Sequence, residues 1–131
     1  MNARIADKVK AYSSKFTETQ FLIAPGIPQK KIRNAIKSYA PDASESEVLL
    51  LLDTTVFGSA KDGLLLTSDA LFAHPFLGKA TKVLVKEIVN ITLEETEFES
   101  WTVHINEPQN PSVADIRGQE AQLFAQMLKD L

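Results

Sequence analysis

Thr55-Val-Phe-Gly-Ser-Ala-Lys-Asp-Gly-Leu-Leu-Leu-Thr-Ser-Asp-Ala-Leu-Phe-Ala73 reads as three short strands joined by two tight turns. Asp62-Gly63 is a strong reverse-turn dipeptide, because glycine takes positive φ without steric cost. Leu64–Thr67 and Ala70–His74 have strand length, and Ser68-Asp69 supplies the turn between them. Upstream, Glu47–Phe57 is rich in Leu and Val. Leu49–Leu52 alone suits a buried helix equally, but the β-branched end at Thr54-Thr55-Val56 and the adjoining hairpin favour a strand.

Strand signals continue downstream. Lys82–Lys86 reads as a fourth strand after a Pro75–Ala80 loop. Val89, Ile91 and Leu93 alternate with polar residues and predict a fifth with one face buried. Glu95–Glu99 predicts a sixth and Trp101–Asn106 a seventh, with the turn near Glu99-Ser100. Pro108–Pro111 breaks the pattern. Ser112 with Asp115 three residues on reads as a capping-box variant. Ile116, Leu123, Phe124, Met127, Leu128 and Leu131 then form the apolar stripe of a C-terminal helix, in which Gly118 costs up to ~1 kcal/mol against alanine.

Two helices are expected before the strands. Ile5, Val9, Tyr12 and Phe16 fall at i, i+4, i+7 and i+11. Pro28 suits a first-turn position, Ile32, Ala35, Ile36 and Tyr39 repeat helically, and Pro41 stops the helix at or before Ala40. Phe21–Ile27 between them is apolar but broken by Pro25 and Gly26, and reads as a packed connector.

The chain has 131 residues, 44% hydrophobic and 24% charged, which is the composition of one ordinary globular domain. A chain of this size buries roughly 65–70% of its unfolded surface. It has no cysteine, which removes disulfides, thiolate metal sites and a cysteine nucleophile. Met1–Phe16 carries charges throughout and has no apolar signal core, so a cytoplasmic location without a transmembrane segment is expected. Net charge is −3 but uneven: residues 1–37 carry +6 and the rest −9. The simplest reading docks a basic helical segment on an acidic body. The other makes Arg4, Lys8, Lys30, Lys31, Arg33 and Lys37 a binding face.

Seven strands and a terminal helix resemble a bacterial pleckstrin-homology-like or GRAM-like domain. The resemblance is carried by Val48–Leu93, chiefly by Gly63, Leu64, Leu66, Thr67 and the Leu71-Phe72 pair, with Lys86-Glu-Ile-Val-Asn-Ile91 similar to a later strand of that family. Leu71-Phe72 stands one residue closer than the family spacing. The resemblance implies an α+β fold: a seven-stranded antiparallel barrel of two packed sheets, a C-terminal capping helix and two additional N-terminal helices. It divides the chain into a helical extension, 1–43, packed on a barrel, 44–131. It implies a non-enzymatic module that binds a protein, a peptide or a phosphoinositide headgroup. Headgroup-binding members carry several cations in the first hairpin loop. Here Gly58–Gly63 offers Lys61 alone, beside Asp62, and one ammonium is a weak anion site.

Other chemistry is thinly supported. Gly58 and Gly63 have P-loop-like separation, but Leu64-Leu65 stands where Lys-Ser/Thr is required. Gly58-Ser59-Ala60 lacks the nucleophile elbow, which leaves a Ser59 dyad with His74 or His104 as the one hydrolase reading. The two histidines, His74 and His104, have no metal-ligand spacing, so no metal or cofactor is expected; the alternative is metal ligation by a histidine with the Glu94–Glu99 group. Glu95, Glu97 and Glu99 read as a solvated face that protects a sheet edge. No nucleic-acid motif or base-stacking aromatic set accompanies the basic helices. Asn90-Ile-Thr92 is a glycosylation sequon expected to arise by chance. The expected function is an interaction module for an unknown protein partner, with self-association a further option. The alternative is peripheral contact with anionic phospholipid through the basic helices.

Overall fold

The computed structural model describes residues 3–16, 20–55, 58–75, 79–96, 100–106, 112–117 and 120–131. Helix α1 (Ala3–Tyr12) leads to a short strand, β1 (Phe21–Ile23), and helix α2 (Gln29–Tyr39). Strands β2 (Val48–Asp53), β3 (Gly63–Thr67), β4 (Ala70–His74) and β5 (Thr81–Leu84) come next. They join β1 in an antiparallel sheet of order β1-β2-β3-β4-β5. A second antiparallel sheet comprises β6 (Ile91–Thr96), β7 (Ser100–Ile105) and β8 (Ser112–Arg117), and helix α3 (Glu120–Asp130) closes the chain. The architecture is thus α+β, with three helices and two antiparallel sheets. The described ladders keep the sheets separate.

The leucine runs are explained by a sheet buried on both faces. Leu50, Leu52, Leu64, Leu66, Leu71 and Ala73 point into a core shared with α1, α3 and the second sheet. Leu51, Leu65, Ala70 and Phe72 point the other way and are covered by Ala35, Tyr39 and Ala40 of the α2 region. A strand buried on both faces reads as a continuous apolar run instead of an alternating one. Each fully buried leucine contributes about 1.5–3 kcal/mol relative to exposure. Gly63 sits at φ +138°, and a Cβ there would lie 1.9 Å from the Leu52 carbonyl oxygen. The strand opening therefore requires glycine.

Several elements differ from expectation. Phe21–Ile23 is a strand, paired Phe21↔Leu52 to Ile23↔Leu50, so the N-terminal segment shares the sheet of the body. Phe16 lies beyond the end of α1 but still packs on the core, its ring 4.7 Å from that of Phe21. The fourth expected strand ends at Leu84, and Val85–Glu87 forms a 3-10 turn. The fifth and sixth expected strands are one strand, β6, and Val89 lies outside it. Ser112–Arg117 is a strand where the expected helix begins: Trp101 pairs with Ile116 and Val103 with Ala114. The capping-box reading of Ser112 and Asp115 is therefore corrected, because pairing with β7 satisfies this backbone. Gly118, Glu97 and Glu99 lie outside the described residues.

Candidate functional site

The basic positions do not form one surface. α1 and α2 pack on opposite faces of the five-stranded sheet. This separates Arg4 and Lys8 from Lys30, Lys31, Arg33 and Lys37.

On the α2 side, polar groups clamp the loop between β2 and β3. The Asn34 amide donates to the Ser59 carbonyl at 2.9 Å, and the Ser38 hydroxyl to the Lys61 carbonyl at 2.7 Å. Lys31 Nζ lies 2.6 Å from Asp53 Oδ2. Asp53 Oδ1 accepts from the Thr55 amide at 2.9 Å and the Thr55 hydroxyl at 2.5 Å. Burial opposes ionisation of Asp53, but the hydrogen bonds from Lys31 and Thr55 outweigh it and hold its pKa below the ordinary value. Arg33 pairs with Glu45 at 2.9 Å, and hydrogen bonds from Gln29 and Arg33 lower the pKa of that carboxyl. Two of the four α2 cations are thus engaged by acidic residues of the body, as docking on an acidic body requires. Lys30 and Lys37 are exposed, as is Lys61 in the loop.

His74 Nδ1 lies 2.7 Å from Asp62, and its ring stacks on Tyr39 with centroids 6.1 Å apart. Tyr39 is buried, and its hydroxyl has no hydrogen-bond partner among the described residues. Burial, with Asp53 and Asp62 nearby, raises its pKa. The Ser59 hydroxyl accepts from the Lys61 amide at 3.4 Å. The described contacts place no histidine against Ser59. His104 Nε2 lies on the second sheet, 3.2 Å from Glu94. Among the described residues no cluster of three or more potential metal ligands occurs.

The opposite side holds a cavity. β5 ends at Leu84; the Val85 amide adds one bond in the same register, to the Asp69 carbonyl at 2.9 Å, and the Ile88 amide then bonds back to the Val85 carbonyl at 3.2 Å, closing the 3-10 turn. Asn106 then fixes the segment between that turn and β6. It occupies a left-handed conformation, φ 56°, which asparagine tolerates better than most residues. Its side-chain oxygen accepts from the Val89 amide at 2.8 Å and the Asn90 amide at 3.2 Å, and its nitrogen donates to the Glu87 carbonyl at 2.7 Å. Val89 is consequently held 81% exposed. Opposite, Tyr12 donates to the Asp130 carboxylate, which raises the tyrosine pKa, and Lys8 donates to the Asp130 carbonyl. These bonds tie α1 to the end of α3.

The cavity between these anchors measures about 650 Å3. α1 contributes Arg4, Ile5 and Lys8, the β3–β4 turn Ser68 and Asp69, the end of β5 Leu84, the segment after it Val85, Lys86 and Ile88, and the residue after α3 Leu131. Thr67 shapes the turn: its buried hydroxyl accepts from the Asp69 and Ala70 amides at 3.2 and 3.1 Å. Aliphatic side chains and three cations share one concavity beside the segment that joins the two sheets, here called the seam. Sequence reasoning finds Arg4 and Lys8 but misses Lys86, Val89 and Asn106. It places Lys86 and Val89 in strands. The one available signal at position 106 is an asparagine at the end of an alternating run, a residue suited to positive φ.

The chain matches no protein-family model, no curated protein and no solved structure. No helix among the described residues is long and apolar enough to cross a membrane.

Proposed function

We propose that this chain is a non-enzymatic interaction module on a pleckstrin-homology-like scaffold, engaging a protein partner through the seam cavity. The strand order supports the scaffold. β2–β5 form a four-stranded meander, β6–β8 a three-stranded one, and α3 packs across the second sheet. That is the succession the resemblance implies, with β1, α1 and α2 added. The observation that carries the function is the convergence of α1, the β3–β4 turn, the 3-10 turn and Leu131 on one cavity lined by aliphatic side chains and by Arg4, Lys8 and Lys86. The α2 side is engaged internally by its loop clamp and ion pairs.

A pull-down from lysate tests the reading. Proteins retained by the wild type are expected to be lost with Arg4→Glu/Lys86→Glu and kept with Lys30→Glu/Lys37→Glu. Loss with the second pair alone would move the function to α2.

A second reading has its own observation. Val89 is strongly exposed and follows exposed Lys86 by three residues, an apolar group and a cation in one short segment, as on surfaces that touch anionic membranes. Of the six cations expected to form a binding face, Arg4 and Lys8 lie at the cavity with Lys86, while α2 carries the other four away from it. Hydrolysis is disfavoured: the Asp62 carboxylate takes the His74 nitrogen, and Ser59 is engaged in its own turn.

A further inference from the structure

We propose that two copies of this chain pair antiparallel through the outer edge of β5, about a twofold at Val83, and so join their five-stranded sheets into one. The basis is separate from the cavity and lies in the hydrogen-bonding phase of β5. The β4–β5 register sets Ala70 opposite Leu84 and Ala73 opposite Thr81. One step further, the Val85 amide donates to the Asp69 carbonyl at 2.9 Å, which makes Asp69 and Val85 a hydrogen-bonded pair. Such pairs alternate with non-bonded ones along an antiparallel ladder. Thr81 and Val83 therefore bond to β4, while the N–H and C=O of Lys82 and Leu84 point away from it. Among the described residues nothing bonds these outward groups, and β4 is the one element that runs along β5.

The other strands that end a sheet are less open. β1 is three residues long, and its Ile23 carbonyl already accepts from the Gly26 amide at 2.9 Å. β8 lies against β3 and β4. β6 carries exposed Glu94 and Glu95, and like charges on an edge deter self-pairing.

The β5 edge is complementary to itself. Centring the twofold on Val83 sets Lys82 of one copy opposite Leu84 of the other, and each such pair exchanges both backbone bonds. Centring on Lys82 would set two ammonium groups against each other. Centring on Leu84 would set Lys82 opposite Lys86, where the chain has already entered the 3-10 turn. The charge of Lys82 is met within its own chain: the ammonium lies 3.5 Å from the Asp42 carboxylate and 5.6 Å from the Phe72 ring centroid. Antiparallel pairing also keeps exposed Lys79, just ahead of the strand, away from its own copy. It meets instead the end that carries Lys86 and Glu87, whose charges offset each other. An edge this short buries little area, so the dimer is a weak one.

Sedimentation velocity on the intact protein, from about 10 µM to about 1 mM, tests the pairing. The wild type should pass from monomer to dimer within that range. Leu84 has φ −69°, the value proline requires, and its N–H is an outward donor. Leu84→Pro therefore removes that donor and spares the ladder to β4. It should weaken the dimer at least about tenfold, because the twofold counts each lost bond twice. Leu84→Ala, the control for lost packing, should weaken it clearly less, and thermal melts check that both variants fold. Cross-linking gives a second readout that needs no proline. The chain has no cysteine, and same-face diagonal neighbours across a strand pair lie about 7–8 Å apart. A short bismaleimide should join copies of Lys82→Cys and not copies of Lys30→Cys on α2. A wild type that stays monomeric throughout overturns the proposal. So does a dimer indifferent to Leu84→Pro, one equally weakened by Leu84→Ala, or one cross-linked equally through position 30. The cavity reading is judged apart from these results, by the pull-down.

Discussion

The two N-terminal helices carry similar cations and similar apolar stripes, yet they reach opposite faces of one sheet and meet different surroundings. α2 lies over Leu51, Leu65 and Phe72 and spends its polar groups on a loop. Lys31 goes to Asp53, Asn34 and Ser38 to loop carbonyls, and Arg33 to Glu45. α1 lies over Leu50, Leu52 and Leu64 and ends on α3, where Lys8 and Tyr12 bond to Asp130, and its Arg4 and Lys8 line a cavity. The difference teaches that composition does not say what a cation meets. That is set by which face of the sheet its helix covers and which carboxylates and carbonyls lie there.

The largest expected effect tests the clamped end. Gly63→Ala places a Cβ against the Leu52 backbone at a φ that side chains avoid, and should destabilise by about 4 kcal/mol or more in urea unfolding. A small loss would mean that the β2–β3 opening yields easily, and that the α2 side is less rigid than the seam.

Next come the two faces. Leu64→Ala and Leu65→Ala remove neighbouring side chains pointing to opposite cores, both fully buried. Each should cost about 3 kcal/mol. If Leu65→Ala cost only a few tenths, α2 would not be a true second layer.

A smaller effect concerns the Lys31–Asp53 pair, with side chains 28% and 6% exposed. Lys31→Ala should cost about 1 kcal/mol near neutral pH. The sign with pH comes from the lowered Asp53 pKa. Its stabilisation is fully present above the ordinary value of 3.8 and is lost as pH falls through the lower folded value. The gap between wild type and Lys31→Ala should therefore close in acid. A gap that does not change would assign the role of Lys31 to its methylene stem.

The smallest effect is at Tyr39. Tyr39→Phe removes a buried hydroxyl that has no partner among the described residues, so stability should be unchanged or rise by up to about 1 kcal/mol. A clear loss would reveal a hydrogen bond that matters to the α2 face.

Local signals are legible where geometry is local. Gly63 stands out because only glycine fits there, but it opens β3 instead of forming a tight turn, and β2 ends already at Asp53, short of the expected Phe57. Ile5, Val9 and Tyr12 mark α1 because one helical face is buried. Trp101, Val103 and Ile105 mark β7 because alternation survives in a half-buried strand. The rest depends on partners distant in sequence. Phe21–Ile23 becomes a strand only beside Leu50–Leu52. Ser112–Arg117 shows weak alternation and a misleading helical continuation through Ile116, and its pairing with β7 decides its state. The site is half legible: Arg4 and Lys8 stand out as cations. Lys86 is hidden inside a predicted strand, because the 3-10 turn closed by the Ile88 amide on the Val85 carbonyl has no local signature.

The central claim is that function resides at the seam cavity and not on α2. Site-specific photocrosslinking tests it most directly, with a benzophenone amino acid placed at Lys86 or at Lys37 in otherwise intact protein inside cells. The account predicts discrete protein adducts from position 86 and little from position 37. Adducts concentrated at position 37, or equal at both, would contradict it.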